Sequence, residues 1–253
     1  DDIAGVLLYP HYMRQDQKDD SRVPISATIP PRFYEHLGLN RLLSMELHSG
    51  AQQGFFDRPW DIIDSNFLMI PEIASRNFTN PVVAAADAGG TKRARLFSQL
   101  LGFGDEVIQG SKEHFTDTEN ETKSHGFKGD VQGRDIIIVE DMIDTAGTIV
   151  DVSWAFHKEG AASITVVAPY PLFSTKIDRE TRKATPAIER IIDSPIDEII
   201  TTNVIAPKPG VKESGKVTYL DAAPMFAEAI LCLHTGESIS DRLILPKPKR
   251  KAA

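Results

Sequence analysis

One stretch of the sequence, from Asp135 to Ser153, constrains the fold more than any other. Its first part, Ile136–Val139, is a short apolar run rich in β-branched residues, which is typical of a strand buried on both faces of a parallel sheet. Two acids, Glu140 and Asp141, follow where that strand should end, and small residues then lead into helical spacing from Ile149. The stretch predicts a strand, an acidic edge, a loop and a helix, in that order.

The loop between this strand and this helix has the composition of a phosphate site. The start of a helix presents unpaired N–H groups and the positive end of the helix dipole, and both favour a phosphate dianion. Gly147 lets the backbone approach a ligand, and Thr145 and Thr148 add hydroxyl donors. The carboxylates upstream can accept hydrogen bonds from vicinal hydroxyls and can help hold Mg²⁺. These features together indicate a ribose 5-phosphate site, but a threonine that merely caps a helix gives the same pattern.

Length, charge and cysteine content exclude several classes of protein. With 253 residues, 41% of them hydrophobic, the chain can build a packed core in one large or two modest domains. Its net charge of −8 argues against a nucleic-acid binder, which needs a basic face. The single cysteine, Cys232, excludes an intrachain disulfide and a cysteine metal cluster, as is typical of a reducing compartment. No apolar run reaches the roughly 20 residues of a membrane span, and we expect a cytoplasmic protein.

Two other predicted strand ends carry candidate binding residues. A strand at Leu42–Leu47 would place Glu46 and His48 on the same side, where they could bind metal or phosphate. A strand at Val82–Ala86 precedes Asp87, which could hold Mg²⁺, and a glycine pair that could approach a phosphate. A structural histidine near a turn, and a glycine turn without a ligand, are the alternatives.

The sequence at 140–149, Glu-Asp-Met-Ile-Asp-Thr-Ala-Gly-Thr-Ile, matches a loop of known function. It closely resembles the phosphoribosyl pyrophosphate (PRPP) loop shared by type I phosphoribosyltransferases and ribose-phosphate pyrophosphokinases, also called PRPP synthetases. Three further segments resemble the synthetases: Tyr-Met-Arg-Gln-Asp at 12–16, Gln-Gly-Phe-Phe at 53–56 and Asp-Ala-Gly-Gly at 87–90. Type I phosphoribosyltransferases lack the first of these segments. The chain is therefore identified as a member of the PRPP synthetase family.

The resemblance implies an α/β fold with two doubly wound type I phosphoribosyltransferase-like domains built on mostly parallel sheets. The predicted domains are residues 1–66, truncated at the start, and residues 67–253, which carry the PRPP loop, the last helix and a basic tail. Because a core strand would begin almost at Asp1, we expect residues to precede it in the natural protein. Family members assemble as dimers built into hexamers, which implies a homo-oligomer or a hetero-oligomer with a paralogue. Neither nucleic acid nor membrane is expected as a partner.

The activity that the resemblance implies is a Mg²⁺-dependent transfer of pyrophosphate from ATP to ribose 5-phosphate, giving PRPP and AMP for nucleotide biosynthesis. The residues it implies fall into four groups by role. They are Glu140, Asp141, Asp144, Thr145, Ala146, Gly147 and Thr148 for ribose 5-phosphate, Arg14, Gln15 and Asp16 for ATP, His48 and Asp87 for the metal, and Lys112 and His48 for catalysis.

Several positions depart from the family pattern. Glu46 stands where the family usually has aspartate, and Ala86 where it has proline. The family's basic flap is reduced to Lys112 within the polar segment Gln109–Lys128, and a charged insertion at Lys176–Lys183 is predicted as a solvated face. Losing a cation that neutralises the transferred phosphoryl group can cost about 10³-fold in rate. The alternative function is therefore a non-catalytic PRPP synthetase-associated subunit that regulates a catalytic paralogue.

Overall fold

Two parallel sheets organise the chain, one in each of its two compact units. The computed structural model describes residues 2–110, 126–178 and 180–243. The first unit takes in the chain up to Ser65 together with the last two helices, and the second runs from Asn66 to Ala222. Within the described residues, no helix is both long and apolar enough to span a bilayer.

The first unit is built on a three-stranded parallel sheet in which the order of strands follows the order of the chain. Its elements are strand β1 (Ala4–Leu7), helix α1 (Ile29–His36), strand β2 (Arg41–Met45) and strand β3 (Trp60–Ile63). Leu42, Leu43 and Met45 on the central strand β2 are fully buried. Proline in the first turn of α1 suits a helix start, because the missing N–H group has no partner there in any case.

The described residues of the second unit form eleven strands and four α-helices. The strands are β4 (Pro81–Ala85), β5 (Val107–Gly110), β6 (Phe127–Lys128), β7 (Asp135–Val139), β8 (Met142–Ile143), β9 (Ser163–Val167), β10 (Tyr170–Pro171), β11 (Thr175–Ile177), β12 (Ala184–Pro186), β13 (Glu198–Thr202) and β14 (Val217–Leu220). The helices are α2 (Asn66–Ala74), α3 (Thr91–Leu100), α4 (Gly147–Lys158) and α5 (Ala187–Ile192). Seven strands form one sheet in the order β14-β13-β9-β7-β4-β5-β6, parallel except for β6.

Strand β7 shows why this sheet carries helices on both faces. Ile136 and Ile138 pack in a cluster with the buried side of α4, whereas Ile137 and Val139 pack in a second cluster with α2 and α3. Successive side chains of a strand point to opposite faces, so an unbroken apolar run can be buried only between two layers. The prediction of a doubly wound α/β fold with mostly parallel sheets is confirmed.

The insertion at Lys176–Lys183 is exposed at every described residue, as predicted, and lies in an antiparallel hairpin of β11 and β12, whose paired ends are Thr175 and Pro186. The sequence assigns the last helix to the second domain, whereas α6 (Ala223–Thr235) and α7 (Ile239–Leu243) belong to the first unit. Adjacency in the sequence carries no information about such non-local contacts. The predicted boundary between residues 66 and 67 stays a prediction.

Lys216 closes the C-terminal end of α5. Its ammonium nitrogen lies 3.2 Å from the carbonyl oxygens of both Ile191 and Ile192, 3.0 Å from that of Ser194 and 2.8 Å from that of Ile196. The last carbonyl groups of a helix have no partner within the helix, and a cation there also interacts favourably with the helix dipole. The lysine thus holds α5 against the start of β14.

We expect Lys216→Met to lower the free energy of unfolding by about 2 kcal/mol, because it removes the charged donor that these four carbonyl oxygens share. Urea unfolding followed by circular dichroism measures the change. Lys212→Met, at an exposed position nearby, is the matched control and should stay within about 0.5 kcal/mol of wild type. Equal effects of the two substitutions would show that Lys216 has no special role.

Candidate active site

The candidate site lies at the carboxyl ends of β4 and β7, which are neighbours in the sheet. These strands pair in parallel, with Ala84 opposite Ile138, so both chains leave the sheet at the same edge. Asp87 follows β4, and Glu140 and Asp141 follow β7. The structure therefore brings together the acids that the sequence assigned to two separate motifs. Carboxyl ends of parallel strands are the usual place for ligands in doubly wound folds.

Crowding at this edge changes the protonation of Glu140. Burial of its carboxyl group, repulsion from Asp141 and repulsion from Asp87 raise the pKa of Glu140 to about 7. Arg93, on the first turn of α3, opposes this shift, and its guanidinium nitrogen lies 3.8 Å from a carboxylate oxygen of Asp141. The N–H group of Ala86 also favours the ionised form of Glu140. The site is thus a partly buried anionic cluster that a cation would stabilise.

Asp87 also has a structural role. Its side chain accepts hydrogen bonds from the backbone N–H groups of Gly89 at 2.8 Å and Gly90 at 3.3 Å, and so begins the turn into α3. A side chain on Gly90 would lie 3.3 Å from the β-carbon of Ala85 and 3.9 Å from a carboxylate oxygen of Glu140. Glycine therefore lets α3 start close to the acidic cluster. These contacts leave the predicted metal role of Asp87 a prediction.

The loop at the start of α4 lacks a side-chain cap. The capping position is Ala146, in the left-handed region at φ 60°, and it makes no side-chain hydrogen bond. The first bond of the helix runs from the N–H group of Val150 to the carbonyl of Ala146, at 3.1 Å. In the part of the chain that the structure describes, the hydroxyl groups of Thr145 and Thr148 also make no hydrogen bond. The interpretation of these threonines as plain helix caps is therefore wrong, and the first N–H groups of α4 remain available to a ligand.

Two sets of contacts hold this loop in place. Ile143 and Asp144 accept backbone hydrogen bonds at 2.9 Å from Phe173 and Ser174, which extend the pairing of β8 with β10. Arg190 on α5 donates a hydrogen bond of 2.8 Å from its guanidinium group to the carbonyl of Thr145. Arg190 cannot be identified as part of this loop from the sequence, because it lies 45 residues from Thr145 and its segment shows only the spacing of a helix.

The residues predicted to bind ATP lie in the first unit. Arg14 and Gln15 are exposed and Asp16 is half-buried, at a turn that the N–H group of Gln15 closes on the carbonyl of Tyr12 at 2.8 Å. Their roles stay predictions. His48 is exposed and also belongs to the first unit, whereas Asp87 belongs to the second. Lys112 lies outside the described residues.

The predicted placement of Glu46 and His48 on one side of a strand is wrong. Strand β2 ends at Met45, and Glu46 turns into the left-handed region at φ 47°. One carboxylate oxygen of Glu46 accepts hydrogen bonds from the N–H group and the hydroxyl of Ser65, at 2.9 and 2.7 Å. Because both residues lie beyond the end of the strand, the alternation of side chains in a strand does not place Glu46 and His48 on the same side.

Comparisons with known proteins agree with this geometry. The model of the phosphoribosyl synthetase-associated domain matches residues 125–243. The chain is 36% identical over 237 residues to the ribose-phosphate pyrophosphokinase of Helicobacter pylori, which covers 94% of this chain and 69% of that protein. The chain belongs to the ribose-phosphate pyrophosphokinase family. The corresponding protein of Shewanella oneidensis is 37% identical over 239 residues, with coverage of 94% and 72%.

A solved structure supports the same family. The crystal structure of phosphoribosylpyrophosphate synthetase from Mycobacterium smegmatis matches with a TM-score of 0.78 and 28% identity, covering 93% of this chain and 72% of that one. The family predicted from the four motifs is thus confirmed, and the assignment of residues 140–149 as the PRPP loop stays a prediction. The individual role of each site residue remains a prediction.

Glu140 gives the site a measurable pH dependence. Its pKa is about 7 in the folded protein and 4.5 as an ordinary glutamate, so the folded state binds the proton more tightly than the unfolded chain. The proton bound to Glu140 therefore stabilises the folded state, and this stabilisation is complete below pH 4.5 and is lost as the pH rises through 7. By linkage it amounts to on the order of 3 kcal/mol. We expect Glu140→Gln to raise the free energy of unfolding relative to wild type more at pH 8 than at pH 5.

Urea unfolding at a series of pH values tests this expectation. Glu189→Gln removes an exposed carboxylate from α5 and serves as the control. If the difference between Glu140→Gln and wild type is the same at pH 5 and pH 8, Glu140 does not titrate near neutrality.

Proposed function

We propose that this chain is a ribose-phosphate diphosphokinase that forms PRPP and AMP from ATP and ribose 5-phosphate. The observation that carries the proposal is the start of α4, where N–H groups without a side-chain cap lie beside the acidic ends of β4 and β7. A helix start of this kind suits a phosphate dianion, and carboxylates suit vicinal hydroxyls. Relatives named ribose-phosphate pyrophosphokinase support the same activity, and they do not favour a purely regulatory subunit.

The loop and the acids would bind different ends of ribose 5-phosphate. The 5-phosphate group would lie against the N–H groups of Gly147 and Thr148, with the hydroxyls of Thr145 and Thr148 as further donors. The vicinal hydroxyls of the ribose would donate to the carboxylates of Asp141 and Asp144, with Glu140 beside them. Ala146 would contribute through its left-handed backbone, which turns the loop into the helix.

The transfer itself needs no covalent intermediate on the protein. The oxygen of the anomeric hydroxyl attacks the β-phosphorus of ATP, and the bond from that phosphorus to the α,β-bridging oxygen breaks. AMP leaves with the bridging oxygen, and the hydroxyl proton passes to solvent or to a base. In such reactions the protein mainly positions the reactants and neutralises charge. We propose that ATP is bound by Arg14, Gln15 and Asp16. We also propose that catalysis involves His48 and Lys112.

The acidic cluster fits Mg²⁺. Asp87 and Asp141 supply carboxylate oxygens, and the pKa of Glu140, raised mainly by burial, is raised further by repulsion from both of them, which a cation would relieve. Among the described residues, no group of three or more histidine, cysteine or acidic side chains is arranged to hold a metal. Mg²⁺ commonly takes only one or two carboxylates and completes its shell with water and substrate phosphates. When bound, it would neutralise charge on the transferred phosphates.

Two broader expectations accompany this function. We propose a cytoplasmic protein, in keeping with the buried free thiol of Cys232. We also propose that it assembles into an oligomer, built from dimers of this chain or shared with a paralogue, as the resemblance implies.

The purified protein should form AMP from ATP only when ribose 5-phosphate is present. Nucleotide chromatography follows AMP, and phosphorus NMR identifies PRPP as the second product. Replacement of ribose 5-phosphate by ribose, or removal of Mg²⁺ with EDTA, should stop the reaction. Absence of AMP from the full-length protein, both alone and mixed with a paralogue, would contradict the enzyme assignment.

Asp144→Asn tests the loop directly. We expect kcat/KM for ribose 5-phosphate to fall about 100-fold, because a charged acceptor for a ribose hydroxyl is lost, with little change in KM for ATP. Asp151→Asn, an exposed position on α4, is the matched control and should behave as wild type. Equal values of kcat/KM in Asp144→Asn and wild type would exclude Asp144 from the site.

A further inference from the structure

Arg190 lies across the loop that begins α4. One terminal nitrogen of its guanidinium group donates a hydrogen bond of 2.8 Å to the carbonyl of Thr145. A β-carbon added to Gly147 would lie 3.4 and 3.5 Å from its two terminal nitrogens. The guanidinium group therefore binds the residue before Ala146 and lies near Gly147, the residue after it. Because Gly147 has no side chain, the guanidinium group of Arg190 can lie close to the first turn of α4.

The charge of Arg190 is not neutralised within the described part of the chain. Its side chain is half-buried, its one hydrogen bond goes to a neutral carbonyl, and no carboxylate there lies within ion-pairing distance. A guanidinium group has five N–H donors, so Arg190 can still donate hydrogen bonds to a ligand. A partly buried charge is costly unless a partner of opposite charge compensates it. This arrangement favours an anion at the loop.

The position of Arg190 is set by the packing of α5. Ala187, Ile188 and Ile191 on the same helix are buried in the main core cluster, and Lys216 holds its C-terminal end. Glu189, the preceding residue, is exposed, whereas Arg190 is half-buried and contacts the loop at Thr145. A side chain anchored in this way can hold the loop in one conformation before the ligand arrives, which lowers the entropic cost of binding.

We infer that Arg190 is a positioning residue for the 5-phosphate group of the pentose substrate. Its hydrogen bond to the carbonyl of Thr145 holds the loop in its turn at Ala146. In this conformation the first N–H groups of α4 can face the phosphate. Its positive charge adds to that of the helix N-terminus and favours the dianion. The inference rests on the proposed function and extends it to a residue outside the PRPP loop.

Two substitutions separate the charge of Arg190 from its hydrogen bond. Arg190→Gln keeps an N–H donor and removes the charge, and Arg190→Lys keeps the charge. Calorimetric titration with ribose 5-phosphate should show about tenfold weaker binding for Arg190→Gln, as expected for one lost charge-assisted interaction. Arg190→Lys should recover most of the affinity. Arg95→Gln, an exposed arginine on α3, is the matched control and should bind as wild type.

Kinetics and a second ligand distinguish positioning from general loss of structure. Arg190→Gln should raise KM for ribose 5-phosphate about tenfold and leave KM for ATP near the wild-type value. Its binding of ribose, which lacks the phosphate, should equal that of wild type. Thermal unfolding confirms that both Arg190 variants are folded.

The inference is overturned if Arg190→Gln binds ribose 5-phosphate within twofold of wild type, or if binding of ribose and ribose 5-phosphate weakens equally. It is also overturned if the wild-type protein does not bind ribose 5-phosphate. Because binding is measured without turnover, a protein that binds the sugar phosphate but forms no AMP would contradict the proposed activity and leave the role of Arg190 standing.

Discussion

The parallel pairing of β4 with β7 determines where the functional groups of the second unit lie. Both strands are buried between two helical layers, so their register is specified by which side chains face each layer. A shift of one residue would exchange the side chains that face the two layers and would disrupt the packing of both. The same register places Asp87 beside Glu140 and Asp141 at one edge of the sheet. The packing of the core and the geometry of the acidic cluster are thus consequences of one set of backbone hydrogen bonds.

The site combines two electrostatic environments at a short distance. Burial and the neighbouring acids raise the pKa of Glu140, and this cluster suits a cation, while the start of α4 and the guanidinium group of Arg190 suit an anion. A substrate that carries both hydroxyls and a phosphate, bound together with a divalent cation, satisfies both environments at once. A bound ligand of opposite charge would stabilise each environment, because each holds charge that the neighbouring side chains compensate only in part.

Much of the fold and part of the site could be predicted from local sequence. Apolar runs such as Ile136–Val139 identify the central strands, and the small residues at 145–148 correctly indicate a loop that enters a helix. The role of Arg190 could not be predicted, since its contact with Thr145 arises only when α5 packs on the core. The left-handed turn at Glu46 was missed because a strand pattern does not show where pairing stops. The grouping of α6 and α7 with the first unit depends on contacts that are distant in sequence, which a local pattern does not show.

The hairpin of β11 and β12 has a consequence for how this family can diverge. Thr175 pairs with Pro186, so the inserted segment closes on itself immediately after Ser174, which supports the loop, and immediately before α5. The entropic cost of joining the two ends of a loop grows only slowly with its length, and here the strands already hold those ends together. Residues can be gained or lost at the exposed tip without moving either attachment point. The length of the hairpin can therefore change during evolution while Ser174 and the start of α5 keep their positions.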